Sequence, residues 1–249
     1  MGCIRVGKGP VLVFVHGFLS GLAYWEKQIE SLSKHFEVIA MDLPGYGGKT
    51  DKTGLDSVVG FATYILEELD KLGIDNFHLV GHSMGGMIAQ QIALQSPTRV
   101  KRLVLYGTGP IGELPGRFET LQLSKEKVQQ NGTEHTKQYT VASWFKKGAA
   151  DPNFAPGMLM AKEVSLPSYI NALSAMASWS AMGKLGQIQA KTLVIWGDMD
   201  RSYIWQQPHT LWQEIQQASL AVMPGCSHNA HLENPQLFNL LVSDFLSES

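Results

Sequence analysis

A serine set between glycines, Gly81-His82-Ser83-Met84-Gly85, carries the most chemistry in this chain. Asn76-Phe77-His78-Leu79-Val80 before it read as a short apolar strand, and Met84 to Gln95 after it as a helix that Pro97 ends. Between the two the chain must reverse within a few residues. Glycines at 81 and 85 let backbone and helix approach closely enough for that. Ser83 then stands at a helix N-terminus, where free N–H groups and the helix dipole favour negative charge. An acyl-transfer nucleophile needs that environment. The pentapeptide alone is a weak signal, so the reading depends on a base, an acid and an oxyanion donor in the right order.

Three further loops follow apolar strands, at the end where ligands bind in open α/β sheets. After Val11–Val15 comes His16-Gly17-Phe18, whose glycine would turn backbone N–H groups toward the space above Ser83. The N–H groups of Phe18 and Met84 are the candidate oxyanion hole. His16, beside a glycine turn, suits a structural hydrogen bond. After Leu193–Trp196 comes Gly197-Asp198-Met199-Asp200. One carboxylate here must orient a histidine and compensate its charge; Asp200 is the expected acid, Asp198 the alternative. After Leu220–Met223 comes Pro224-Gly225-Cys226-Ser227-His228. His228 lies directly past a strand end and is the expected base, with His231 and His82 read as structural. The resulting order is Ser83, Asp200, His228.

The elements that must position these groups are legible as an alternation. Short runs rich in Val, Ile and Leu at Val11–Val15, Val38–Met41, Phe77–Val80, Leu103–Tyr106, Leu193–Trp196 and Leu220–Met223 predict a parallel sheet covered on both faces. Leu55 to Leu72 predicts an amphipathic helix stopped by Gly73, and Pro235 to Leu246 the last helix. From Pro110 to Met182 the pattern changes to short helices punctuated by Gly and Pro. Residues 1–109 and 183–249 are therefore read as the core and 110–182 as a helical lid subdomain. Most lid aromatics should form its own small core. Trp144, Met160 and Trp179 are the candidate substrate-binding side chains, and the pocket face should be mostly hydrophobic with polar groups fixing orientation.

Composition bounds the partners. The 249 residues are 44% hydrophobic and 17% charged with a net charge of −2, which suits one globular domain carrying an insertion. Near-neutral balance without a basic stripe argues against nucleic acid. No apolar run approaches the roughly 20 residues of a membrane span. Met1-Gly2-Cys3-Ile4-Arg5 lacks the apolar region of a secretory signal, so a cytoplasmic location is expected. Cys3 and Cys226 are too few for a disulfide framework. The Cys and His spacings match no metal site, and neither metal nor cofactor is expected. Oligomeric state is not legible.

His16-Gly17-Phe18, Asp42-Leu43-Pro44-Gly45-Tyr46-Gly47, Gly81-His82-Ser83-Met84-Gly85-Gly86, Gly197-Asp198-Met199-Asp200, and His228 with Glu233-Asn234-Pro235 together resemble an α/β-hydrolase-fold serine hydrolase over nearly the whole chain. The resemblance implies a mostly parallel doubly wound sheet, and its pattern of glycine, two residues, then aspartate supports Asp200 as the acid. It implies no chemistry for the Asp42–Gly47 segment. The N-terminal hairpin is short by comparison. Arg201 after Asp200 resembles hydrolases of ring-fission diketones, yet those have asparagine before the nucleophile and tryptophan after the histidine, where this chain has His82 and Asn229. The implied activity is hydrolysis of a small to medium carboxylic ester through an acyl-enzyme. Carbon–carbon, lactone or amide cleavage on the same triad, or a slow-turnover ligand receptor, are the alternatives.

Overall fold

The computed structural model describes residues 2–113 and 120–247. The expected apolar runs form strands β2 (Val11–Val15), β3 (Glu37–Met41), β4 (Phe77–His82), β5 (Val100–Tyr106), β6 (Lys191–Gly197) and β7 (Ala218–Met223), preceded by β1 (Cys3–Val6). One seven-stranded sheet results, in the order β1-β3-β2-β4-β5-β6-β7. All neighbours are parallel except β1, which runs antiparallel to β3 with Cys3 opposite Met41. Several strands run one to three residues beyond the apolar runs, because main-chain pairing continues through rim positions such as Arg102 and Lys191, which face each other.

Alternate residues of the central strands face opposite sides. Val13, Val15, Leu79, Leu103 and Leu105 join one buried cluster, and Leu12, Phe14, Val80, Val104 and Tyr106 the other. Each such aliphatic or aromatic side chain contributes about 1.5–3 kcal/mol by leaving water, which is why these strands read as continuous apolar runs. On the first face lie α2 (Val58–Lys71) and α3 (Met84–Gln95). On the second, α1 (Glu26–Leu32) packs against the last helix, Pro235–Ser247. The α2 helix starts at Val58 rather than Leu55. Apolar spacing runs through Leu55, but Ser57, extended at φ −141°, accepts from the Gly60 N–H and fixes the first turn.

Between β5 and β6 lie α4 (Leu121–Asn131), α5 (Thr133–Ser143), α6 (Phe154–Glu163) and α7 (Leu166–Ala177). The chain leaves and re-enters the sheet through a short antiparallel contact: Ile111 bridges Ser180, Gly112 donates to the Trp179 carbonyl (3.1 Å), and Ala181 donates to that of Pro110 (2.8 Å). Residues 114–119 of the expected 110–182 segment lie outside the described residues. Beyond β6 come α8 (Gln206–Glu214), β7, the short α9 (Ala230–Glu233) and α10, the Pro235–Ser247 helix. No described helix is long and apolar enough to cross a membrane.

Candidate active site

Parallel register aligns the C-terminal strand ends, with Val15 opposite Gly81 and His82 opposite Tyr106. The loops after β2, β4, β5, β6 and β7 therefore open on one edge. Ser83 is the first residue past β4, at φ 57°, ψ −120°. Non-glycine backbone there costs about 1–3 kcal/mol and persists only where the surroundings enforce it. Here the Ser83 N–H donates to the Tyr106 carbonyl (3.0 Å), and the Ser83 carbonyl accepts from the Gly86 N–H (2.9 Å) and the Thr108 hydroxyl (2.8 Å). The flanking glycines make the turn possible. A Cβ on Gly81 would come 2.3 Å from the Gly85 carbonyl oxygen, and one on Gly85 2.3 Å from that of Val15.

His228 lies on the loop after β7, and its Nδ1 stands 2.9 Å from Asp200 Oδ2 with both side chains buried. The other Asp200 oxygen accepts from the Ser202 and Tyr203 N–H groups (2.7 and 3.2 Å), so the carboxylate is held on both sides. Asp198 is exposed and accepts from the Gly225 N–H (2.7 Å), stabilising the loop that carries His228. Of the two candidate acids, geometry places Asp200 on the imidazole.

The Gly17-Phe18 turn packs directly on the nucleophile: a Cβ on Gly17 would sit 2.9 Å from Ser83 Cβ. Among the described residues, neither the Phe18 nor the Met84 N–H donates to a protein acceptor. His16 takes a structural place, its Nε2 accepting from the Leu43 N–H (3.0 Å) and its Nδ1 donating to the Gly17 carbonyl (2.8 Å). Burial pushes its pKa down.

Beneath His228 lies a layer of buried rings. His82 Nε2 is 3.1 Å and the Tyr106 hydroxyl 2.6 Å from the His228 carbonyl oxygen. Burial, with His228 close by, drives His82 well below the ordinary imidazole range and His231 down to about 3. Both shifts favour the neutral ring.

Ser83 and His228 share a recess of about 40 Å³ with Phe18, Thr140, Trp144 and Met176. It meets a cavity of about 510 Å³, the two sharing Phe18, Thr140, Trp144 and Ser202. Of the three side chains expected to bind substrate, only Trp144 lines these spaces. Met160 packs on the core near Gly21. Trp179 sits at the neck, its indole N–H donating to Gln91 Oε1 (3.0 Å). The expected mostly hydrophobic pocket face is also corrected. Phe18, Trp144, Tyr169 and Leu173 form an apolar wall, but α4 presents Ser124, Lys127 and Asn131, and α5 presents His135, Thr136, Tyr139, Thr140 and Ser143. These recur at helical spacing, so one polar face of each helix lines the cavity while Val128 and Val141 turn to the core.

Sequence reasoning missed Tyr203, whose ring stacks on His228 (centroids 5.6 Å apart, 14°), and Tyr106. Tyr203 had a usable signal: three residues after an aspartate is where a local turn brings an N–H onto its carboxylate. Among the described residues no three His, Cys, Asp or Glu side chains group as metal ligands.

A family model described as alpha/beta hydrolase fold matches residues 10–235. The chain is 31% identical, over 97% of its length and 89% of the relative's, to a 2-hydroxy-6-oxo-6-phenylhexa-2,4-dienoate hydrolase of Burkholderia cepacia. It is 27% identical, over 93% and 94%, to a pimeloyl-[acyl-carrier protein] methyl ester esterase of Nitrosomonas europaea. In backbone it superposes on the enol-lactonase of Burkholderia xenovorans LB400 with a TM-score of 0.91, over 99% and 96% of the chains at 23% identity. The serine turn, the buried His–Asp pair and the sheet that carries them thus agree with the sequence match: the chain belongs to the α/β-hydrolase-fold family and is a hydrolase similar to ring-fission-product hydrolases and esterases.

Proposed function

We propose that this protein is a serine hydrolase that cleaves small to medium carboxylic esters through an acyl-enzyme. The observation that carries the reading is the 2.9 Å His228–Asp200 contact, buried beside a serine held at a strained strand-to-helix turn. His228 takes the Ser83 proton as Oγ attacks the carbonyl carbon. Asp200 holds the imidazole in the required tautomer and offsets its charge. The tetrahedral oxyanion lies against the N–H groups of Phe18 and Met84, at the N-terminus of α3. The alcohol leaves with the proton returned by His228. A water activated by the same histidine then releases the acid.

Helices α4–α7 act in this reading as a lid over the site. The 40 Å³ recess takes the smaller arm of the ester and the 510 Å³ cavity the larger one. Substrate choice then rests on an apolar wall beside the reacting carbonyl and hydrogen-bonding groups farther out. The partner is a small molecule, with no role for nucleic acid or a membrane.

Carbon–carbon cleavage on the same triad is the second reading, favoured by the ring-fission relative and by Arg201 directly after Asp200. The test is kcat/KM for 4-nitrophenyl esters of increasing acyl length, for lactones and for a ring-fission diketone, with Ser83→Ala as control. Ester turnover at least tenfold above diketone turnover supports the first reading. The reverse order supports the second.

A further inference from the structure

We propose that Tyr106 and His82 are positioning residues that hold the base through its main-chain carbonyl, an inference that rests on the triad reading above. Asp200 grips His228 at one ring atom, Nδ1. Tyr203 stacks on one face of that ring, and the aim of Nε2 depends further on where the main chain holds the residue. His228 lies on the loop between β7 and α9, outside regular structure. Its carbonyl is nonetheless doubly bonded, to the Tyr106 hydroxyl at 2.6 Å and to His82 Nε2 at 3.1 Å.

Both donors come from the strands that present the nucleophile. His82 and Tyr106 end β4 and β5, are paired across the sheet, and stack with ring centroids 4.6 Å apart at 22°. His82 directly precedes Ser83, whose N–H donates to the Tyr106 carbonyl (3.0 Å). Tyr106 therefore holds the nucleophile with its main chain and the base with its hydroxyl. One residue sets the spacing of two groups that are 145 positions apart in the chain.

The donor roles are determined by the partners. A carbonyl only accepts, so Nε2 of His82 carries its hydrogen and the Tyr106 O–H points at His228. The Tyr106 oxygen then accepts from the His231 N–H and from His231 Nδ1, each at 3.2 Å. Neutral His82 and His231 suit these roles, and neutrality matters. The His82 ring lies 4.6 Å from that of His228 and 5.3 Å from that of His231, centroid to centroid, in a cluster where His228 alone must take a proton.

The test compares Tyr106→Phe, His82→Phe and His82→Gln with the unaltered chain. Phenylalanine keeps the ring packing and deletes the donor, whereas glutamine keeps an N–H of similar reach. Two rates are read: the second-order rate at which a fluorophosphonate labels Ser83, which is independent of substrate identity, and kcat and KM for 4-nitrophenyl acetate. Each phenylalanine variant should lower the labelling rate and kcat about tenfold, as misplacement of a reacting group does, with KM within about twofold. His82→Gln should recover most of the loss. If both phenylalanine variants label and turn over within about twofold of the unaltered chain while only melting temperature drops, the pair is core packing and the inference fails. If His82→Gln is as slow as His82→Phe, the donor is not what matters and the His82 half fails. Tyr106→Phe changes one atom, so it reports even where a His82 variant does not fold. An unaltered chain that is not labelled at Ser83 overturns the triad reading itself; labelled Ser83 with unchanged variant rates overturns this inference alone.

Discussion

Asp200 and Asp198 differ by two positions and separate sharply by environment. Asp200 is buried, with one oxygen on His228 and the other taking two main-chain N–H bonds, while Asp198 is exposed and its carboxylate accepts from the Gly225 N–H. Asp200→Asn should therefore lower kcat by about 10⁴, because asparagine neither offsets the imidazolium nor enforces its tautomer. Asp198→Asn keeps an oxygen for Gly225 and should cost less than tenfold. Steady-state kinetics on one ester decides between them; a dead Asp198 variant beside an active Asp200 variant would contradict the assignment. That Ser83, Asp200 and His228 come together was legible because each follows an apolar strand end and because the glycines mark the turns. Tyr106 was not legible. As the last residue of a strand it reads as core, and nothing local signals that its hydroxyl meets a carbonyl 122 residues away.

The helices between β5 and β6 illustrate where pattern reading stops. Helical spacing and punctuation located them, but spacing cannot say which face meets the cavity, since that follows from how four helices pack. Trp144 and Trp179 read alike in sequence as large buried aromatics. In the fold one lies 6.0 Å from the His228 ring and the other at the neck of the insertion. Trp144→Ala should shift the acyl-length profile of kcat/KM, with each methylene worth about 1–3 kcal/mol against the altered wall. Trp179→Ala should leave that profile in place and cost about 3–5 kcal/mol of stability. Chain-length kinetics and denaturant unfolding, run on both, separate the roles. A Trp144 variant with an unchanged profile would place the pocket elsewhere. Likewise Ser57→Ala should cost about 1 kcal/mol by removing the cap of α2, with activity unchanged.

For the molecule as a whole, the buried histidines tie stability to pH. His231 titrates near 3 in the folded chain against about 6.5 when unfolded. Between those values the unfolded chain binds the extra proton, so stability is fully present above about pH 6.5 and is lost as pH falls. His231 alone should cost about 2 kcal/mol by pH 5. His82 and His16 are displaced in the same direction by burial and add to the loss. Denaturant midpoints at pH 7.5 and pH 5.0 check this, and equal stability at the two would contradict neutral burial of these rings. The parallel sheet and the opening of the chemical loops on one edge were legible, because continuous apolar strands alternating with helices admit few arrangements, whereas the strand order came only from the fold. The central claim is that Ser83 is the activated nucleophile, and it is tested most directly by treating the protein with a serine-directed fluorophosphonate and mapping the adduct by mass spectrometry. One adduct, on Ser83, absent from Ser83→Ala and strongly slowed in a His228→Gln variant, is the predicted result; no adduct, or an adduct on any other residue, would contradict it.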